Sequence, residues 1–216
     1  MSIEVNKFKE ALKDLREKSP KRSYNQSIEL IINLRDIDMK KPEGKIQDNV
    51  ELAHPLGKKV SVCVFATGDM ALRARRAEAE LVIEREELES LANDKKRQRR
   101  IANGMDVFIA VAPLMPTVGK VFGAILGPRG KMPTPVPPNA NIENEIERQR
   151  KMILVRTRGQ PVINSRVGTE NMPDEEIIDN IQTVLRSVEG KLKRGVKNID
   201  EIYMKASMGP PIKIQI

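Results

Sequence analysis

The sequence has little of what metal, disulfide and thiol chemistry requires. Its 216 residues include one cysteine, Cys63, and one histidine, His54. No disulfide can form within one chain, and no Cys/His cluster can hold a zinc ion. Cys63 lies in the apolar run VSVCVFA, which is typical of a buried small hydrophobe. We therefore expect no metal site, no cofactor and no catalytic Cys–His pair.

Aromatic residues and long apolar runs are also scarce. Aromatics make up 3% of the chain, and there is no tryptophan, which disfavours a protein that stacks successive bases on aromatic side chains. No apolar run approaches 18 residues, and the amino-terminal segment lacks the apolar core of a signal peptide. We therefore expect a cytoplasmic protein with no membrane partner.

Charge, by contrast, is plentiful and positive overall. Charged residues form 31% of the chain and the net charge is +8, which favours an anionic partner. Residues 1–62, 63–155 and 156–216 hold 13, 15 and 10 Lys/Arg against 10, 12 and 8 Asp/Glu. Because the surplus is spread evenly and forms no basic tail, any anion-binding face has to be assembled by folding.

The two ends of the chain carry the pattern of an antiparallel sheet. Ile28, Leu30 and Ile32 alternate with polar residues in SIELIINL, and DEIYMKAS alternates in the same way. Residues 46–55 are predicted to pair with the first of these strands as a hairpin. An amphipathic helix precedes Pro20, and a longer one follows Pro173. The ends therefore predict one sheet covered by two helices.

The middle of the chain has a different pattern. The runs KVSVCVFA and DVFIAVAP are continuously apolar, as strands buried on both faces are, and helical segments separate them. We predict a two-domain protein of the α/β class, in which one domain is α/β and the other α+β. Residues 1–62 and 156–216 form the interrupted antiparallel-sheet domain, and residues 63–155 form an inserted, Rossmann-like, three-layer α/β domain.

The glycine-rich segment GPRGK is not a phosphate-binding loop. Ile125 occupies the first glycine position of the Walker pattern, and Met132 replaces its hydroxyl residue. No pair of carboxylates lies in an apolar setting, so nothing supports acid–base catalysis. An enzyme using the α/β insertion, which rests on fold analogy alone, and a protein-interaction module remain alternative functions.

Two polar surfaces are candidates for nucleic-acid contact. The run KKRQRR at 95–100 could bind nucleic acid, or it could be a solvated face near the carboxyl end of a helix, where cations suit the dipole. The outward strand residues could contact riboses and phosphates, or form an ordinary solvated sheet face. They are Ser27, Glu29, Asn33, Arg35, Tyr203, Lys205 and Ser207.

Several longer segments, in order, resemble the ribosomal protein L-one family of the archaeal type. They are SYNQSIEL, NVELAHPLGK, ILGPRGKMP, VINSRVG and ASMGPP. The resemblance implies a two-domain, non-enzymatic, structural protein of the large ribosomal subunit that binds the stalk region of the large-subunit ribosomal RNA. It also implies assistance in releasing exit-site tRNA, translational repression through the protein's own mRNA, a cytoplasmic location on the ribosome, and a monomer away from it.

The resemblance also implies a set of RNA-binding residues. An aromatic–hydroxyl–glutamate pattern matches SYNQSIEL, and a Thr-Met-Gly-Pro motif corresponds to the SMGP segment, with Ser in place of Thr. A His-x-Pro-Val-Gly element of relatives reads here as Asn-Ser-Arg-Val-Gly, in which Arg166 replaces the proline. The expected contacts are Tyr24, Ser27, Glu29, Arg166, Gly168, Thr169, Ser207, Met208, Gly209 and Pro210. The proline-rich stretch after the GPRG turn is predicted to be a rigid exposed loop, with Arg129 and Lys131 contacting either RNA or the neighbouring domain.

Overall fold

A computed structural model of the chain describes residues 5–41, 44–57 and 59–214. The chain divides into two compact units, Met1–Lys58 with Lys151–Ile216, and Lys59–Arg150. These limits fall four or five residues before the expected ones at 63 and 155. Val60 packs in a core of the second unit, and Met152–Arg156 is a strand that pairs with Gln47–Glu51 in the first.

The main sheet of the first unit has four strands, and all of its pairings are antiparallel. In chain order the strands are β1 (Ser27–Leu34), β8 (Val162–Thr169), β9 (Ile199–Ala206) and β10 (Ile212–Ile214). Their order in the sheet is β10-β9-β1-β8. Side chains of β1 alternate between buried and partly exposed, as the period-2 pattern predicts.

Two helices complete the core of this unit, as expected. They are α1 (Val5–Lys18) and α7 (Asp174–Lys191). Phe8 and Leu12 of α1 and Ile181 of α7 join the inward strand residues in one apolar cluster. Val5, the first residue of α1, is 43% exposed. Helix α7 follows Pro173 and carries three acidic residues in its first turn, where the helix dipole favours them.

The predicted hairpin between residues 46–55 and the first strand is wrong. Strand β2 (Gln47–Glu51) pairs instead with β7 (Met152–Arg156) in a separate two-stranded ribbon. Both edges of β1 are already occupied, one by β8 and the other by β9, so β2 has no edge of β1 to pair with. Val50 and Val155 of the ribbon still contribute to the core.

The second unit is a three-layer α/β structure, which confirms the predicted fold class. The strands of its parallel sheet are β3 (Val62–Phe65), β4 (Leu81–Ile83), β5 (Val107–Val111) and β6 (Thr134–Val136). Their order in the sheet is β4-β3-β5-β6, and the inner strand β3 is buried on both faces.

Five helices cover the two faces of that parallel sheet. Residues of α2 (Asp69–Arg76) and α6 (Ile142–Lys151) share a core with Val62 and Val64. Residues of α3 (Arg85–Leu91), α4 (Lys95–Gly104) and α5 (Met115–Arg129) share a second core with Cys63 and Phe65. Short 3-10 turns lie at Ala112–Leu114 and Gly195–Asn198.

Two local predictions in this unit need correction. The proline-rich stretch is not wholly a loop, because Thr134–Val136 forms the edge strand β6 and Val136 is buried. Proline is tolerated there since an edge strand leaves one row of N–H groups unpaired. The run KKRQRR, one interpretation of which placed it near the carboxyl end of a helix, instead begins a helix, since residues 85–104 form two helices and α4 starts at Lys95 with Asp94 as its N-cap.

None of the helices within the described ranges is long and apolar enough to cross a membrane.

Candidate nucleic-acid interface

The side of the main sheet that faces away from the core carries polar side chains, and we call it the strand face. Because β1 and β9 are neighbours, their outward residues share one side, as the alternation predicted. The members on β1, β8 and β9 are Ser27, Glu29, Ile31, Asn33, Asn164, Arg166, Glu201, Tyr203 and Lys205. Arg35 lies beyond β1, and its Nε donates to the Lys197 carbonyl instead.

Two cations flank a carboxylate at the centre of the strand face. Glu29 is in register with Arg166 on β8 and with Lys205 on β9. The Asn164 Nδ2 donates to Glu29 Oε2 at 3.4 Å. Within the described part of the chain, Arg166 and Lys205 make no ion pair or side-chain hydrogen bond. Both cations are therefore available to an anionic ligand.

A hydrogen-bonded trio occupies one edge of the strand face. The ammonium group of Lys213, on β10, contacts Glu201 Oε1, and the Tyr203 hydroxyl donates to Glu201 Oε2 at 2.8 Å. The hydrogen bond from Lys213, with that from Tyr203, lowers the pKa of Glu201. The Glu201 carboxylate raises the pKa of Tyr203 and of Lys213. This edge is thus internally neutralised at neutral pH.

The Ser207–Pro210 turn lies at one end of the strand face, where it is hydrogen-bonded to Gln26 and to Ser27, the first residue of β1. The Ser207 N–H donates to the Ser27 carbonyl at 3.0 Å, and its hydroxyl donates to the same oxygen at 3.3 Å. The Met208 N–H donates to Gln26 Oε1 at 3.1 Å. The side chain of Met208 is 56% exposed, and Pro210 is exposed beside it. The turn therefore offers an apolar side chain on a fixed backbone.

A side chain at position 209 would come very close to neighbouring atoms. A Cβ atom at this position would lie 2.5 Å from the Ser19 hydroxyl and 3.3 Å from the Cβ of Ala206. The Gly209 N–H donates to the Ala206 carbonyl at 3.0 Å. A side chain at 209 would therefore displace either the Ser19 side chain or the turn itself.

Gln26 is a supporting residue that sequence reasoning missed. It is 1% exposed, and its amide Nε2 donates to the Pro20 carbonyl at 2.9 Å while Oε1 accepts from Met208. It thus links the loop before β1 to the Ser207–Pro210 turn. Only its position between the expected contacts Tyr24 and Ser27 could have indicated this role, since no local sequence pattern identifies a buried glutamine.

The remaining expected contacts differ in accessibility. Tyr24 lies in the loop before β1 and is 50% exposed. Gly168 and Thr169 are buried: a Cβ at Gly168 would lie 3.0 Å from Ile177 Cγ1 of α7, and the Thr169 side chain is 3% exposed. Ser27 is in register with Thr169. Gly168 therefore faces α7 on the core side of the sheet, whereas Thr169 is buried although its register partner Ser27 belongs to the strand face.

The alternative that the protein is an enzyme requires reactive or metal-binding groups, and the described part of the structure offers few. Burial raises the pKa of the Cys63 thiol far above its usual range, so it stays protonated and is a poor nucleophile. His54 belongs to the first unit, where its backbone N–H donates to Asn180 Oδ1 of α7 at 2.9 Å. Among the described residues, no cluster of three or more His, Cys, Asp or Glu side chains could hold a metal ion.

Arg129 and Lys131, whose contacts the sequence left open, have partners within their own unit. Lys131 Nζ donates to the carbonyl of Met105 at 2.6 Å, at the carboxyl end of α4. Arg129 Nη1 donates to Asn103 Oδ1. Lys131 therefore caps α4, as cations near helix ends commonly do.

A discontinuous antiparallel unit with a polar strand face, together with a three-layer α/β unit inserted in its chain, defines the class of this protein. A model of the Ribosomal protein L1p/L10e family matches residues 12–210. The chain therefore belongs to that family, which confirms the resemblance of the sequence motifs. It is accordingly not an enzyme.

Individual relatives match the chain over almost its whole length. The Large ribosomal subunit protein uL1 of Hyperthermus butylicus is 46% identical over 207 residues, which cover 96% of this chain and 95% of that protein. That of Methanocaldococcus jannaschii is 45% identical, covering 95% and 94%. That of Archaeoglobus fulgidus is 40% identical, covering 99% and 100%.

Proposed function

We propose that this chain is a structural protein of the large ribosomal subunit, located in the cytoplasm, that binds the stalk stem-loop of the large-subunit ribosomal RNA. The observation that carries this is that Arg166 and Lys205 on the strand face have no ion-pair partner among the residues that the structure describes. The names of the relatives, each a large-subunit protein, support a place on the large ribosomal subunit. The binding domain is the discontinuous unit, with the α/β unit inserted into it.

The residues of the strand face have separate roles in this proposal. Arg166 and Lys205 contact phosphates and position the RNA, and Ser27 accepts or donates at ribose hydroxyls. Glu29 accepts from base amino groups, and Tyr24 stacks on an unpaired base. Gly168 and Thr169, which are both buried, hold the end of β8 in place beside Ser27.

The turn supplies a second kind of contact. Ser207 offers a hydroxyl, Met208 an exposed thioether side chain, and Gly209 and Pro210 a backbone that RNA can approach closely. Apolar and backbone contacts of this kind fit unstacked bases in loops better than duplex RNA. The turn therefore favours recognition of a structured loop.

Further roles extend the same interface. We propose that the protein assists release of exit-site tRNA as part of the stalk, and that it represses translation by binding its own mRNA as a monomer. Because one strand face would serve both ribosomal RNA and mRNA, the two RNAs have to compete for it. Free protein would then repress its message only when ribosomal RNA sites are filled.

A titration of the purified chain tests the proposal. The stalk stem-loop should bind at least about 10³-fold more tightly than an unrelated duplex of equal length, as specific complexes commonly do. An unlabelled mRNA fragment with a similar fold should displace it completely. Affinity equal to that for the unrelated duplex would contradict the proposal.

A variant of the turn tests the contact residues. Ser207→Ala with Met208→Ala should weaken binding to the stem-loop, by about 1–3 kcal/mol for each of the two side chains that is buried against the RNA. The matched control is Ser90→Ala with Leu72→Ala, two exposed positions of the other unit, which should bind like the parent. Parent-like binding by the turn variant would show that the turn does not touch the RNA.

A further inference from the structure

Helix α4 presents a row of cations whose placement does not stabilise the helix. Because α4 begins at Lys95, Lys95, Lys96 and Arg97 occupy its first turn. The amino end of a helix carries the positive end of the dipole, so cations there are unfavourable. The interpretation that this run suits the carboxyl end of a helix therefore fails, and the cations need another explanation.

The start of α4 is fixed by groups other than these cations. The Asp94 carboxylate accepts from the N–H groups of Lys96 and Arg97 at 3.0 and 2.9 Å. Gln98, 3% exposed, donates to the Leu91 carbonyl at 2.7 Å and so satisfies the end of α3. Gln98 and Ala102 face the core. The start of α4 is therefore fixed without hydrogen bonds from the side chains of Lys95, Lys96, Arg99 or Arg100.

Four of the cations form one surface, which we call the α4 face: Lys95, Lys96, Arg99 and Arg100. All four are exposed, and they form two i,i+4 rows in which successive charges rise about 6 Å along the axis. Arg97 is different, since it pairs with Glu87 at 2.8 Å. In the described part of the chain, no ion pair neutralises a member of the α4 face.

The surroundings of the α4 face indicate what it binds. None of the exposed large apolar residues of the described chain lies on α4, so the face lacks the apolar and aromatic anchors around which protein interfaces are built. Arg129, bonded to Asn103, extends the positive charge. Lysine and arginine without aromatics suit phosphates, which carry no sequence information.

We infer that the α4 face is a second RNA-binding surface, which contacts the phosphate backbone of structured RNA without reading its bases. The inference rests on the proposed binding of ribosomal RNA, because the strand face supplies the specificity that the α4 face lacks. The α4 face adds affinity that depends strongly on salt.

The test compares two variants with an equal reduction in positive charge. One is Lys96→Gln, Arg99→Gln and Arg100→Gln. The control is Arg73→Gln, Arg76→Gln and Lys120→Gln, exposed cations on α2 and α5. Affinity of the full chain for the stalk stem-loop is measured from about 0.05 to about 0.5 M salt, a range over which phosphate contacts weaken steeply, and the melting temperature of each protein is recorded.

We expect the α4 variant to show a slope of log K against log salt that is shallower by about 2–3, at about 0.9 per phosphate contact, and to bind about tenfold or more weakly near physiological salt. Its melting temperature should be no lower than that of the parent. The control should keep the slope of the parent.

Equal slopes for the α4 variant and the control would overturn the inference, because net charge alone would then account for binding. Equally tight, α4-dependent binding of polyglutamate would assign the face to acidic polymers rather than RNA and would also overturn it. If the parent itself does not prefer the stem-loop to an unrelated duplex, the proposed function fails first, and the inference falls with it.

Discussion

At the scale of single residues, the tightest constraint in the candidate interface is at Gly209. A Cβ there would lie 2.5 Å from the Ser19 hydroxyl, closer than two such atoms normally approach. The backbone of the Ser207–Pro210 turn is also hydrogen-bonded to the chain before β1 through Gln26. An added Cβ therefore requires either the Ser19 side chain to rotate or the turn to shift.

Gly209→Ala should lower the free energy of unfolding by about 1–3 kcal/mol, the usual cost of overpacking, and should also weaken RNA binding because the turn moves. Chemical denaturation measures the first effect. The control is Gly119→Ala in α5, where nothing lies within 4 Å of an added Cβ. That change should stabilise the protein slightly, since alanine is the better helix former. A neutral Gly209→Ala would show that the turn does not need the close approach.

The Glu201 carboxylate makes a pH-dependent contribution at the same scale. Its hydrogen bond from Lys213, followed by that from Tyr203, lowers its pKa in the folded protein. A group whose pKa is depressed by folding stabilises the protein above its unfolded pKa, about 4.3 for glutamate. That contribution disappears as the pH falls through the lower folded value.

Glu201→Gln should therefore be less stable than the parent at neutral pH, and the difference should shrink as the pH falls below about 4.3. Urea denaturation between about pH 7 and about pH 3, which brackets the unfolded pKa, gives the comparison. Glu147→Gln, at an exposed position of α6, controls for the removal of one carboxylate. A difference that stays constant down to the acid end of this range would contradict the role given to Lys213 and Tyr203.

At the scale of elements, α4 shows how a helix boundary changes the meaning of a charge run. Removing Lys95 and Lys96 from the first turn should stabilise the chain, by about 0.3–1 kcal/mol for each cation opposed by the dipole. Lys95→Gln with Lys96→Gln should therefore raise the free energy of unfolding, measured at low salt. Lys120→Gln, in the interior of α5, should leave it nearly unchanged. A decrease in the stability of the double variant would mean that these cations stabilise α4.

Local periodicity predicted some elements well and others not at all. The alternation in β1 and β9 identified their buried and outward sides because strand side chains alternate whatever the neighbour is. The pairing of β2 with β7 was not predictable in this way, since partner choice depends on which sheet edges are free. The short strand β6 was hidden by its prolines, although an edge strand accepts them.

At the scale of the whole molecule, the fold class was accessible from the sequence, because continuous apolar strands and alternating ones occupy separate parts of it. The boundaries were less accessible, since Val60 and Met152–Arg156 are assigned by tertiary packing. The hydrogen bonds by which Gln26 links the loop before β1 to the Ser207–Pro210 turn could not be predicted from the sequence either. The RNA-binding residues themselves remain predictions, of which Gly168 and Thr169 are buried.

The central claim of this account is that the discontinuous unit binds the stalk RNA. It rests on Arg166 and Lys205 of the strand face, which have no ion-pair partner among the described residues. The measurement that tests it most directly is the affinity of Arg166→Gln with Lys205→Gln for the stalk stem-loop across a salt series, beside Arg76→Gln with Lys120→Gln. The account predicts that the strand-face variant binds the stem-loop more weakly and has a salt slope shallower by about 1.4–1.8, because it loses two phosphate contacts. The control should retain both the slope and the affinity of the parent. A strand-face variant that binds like its control would contradict the account.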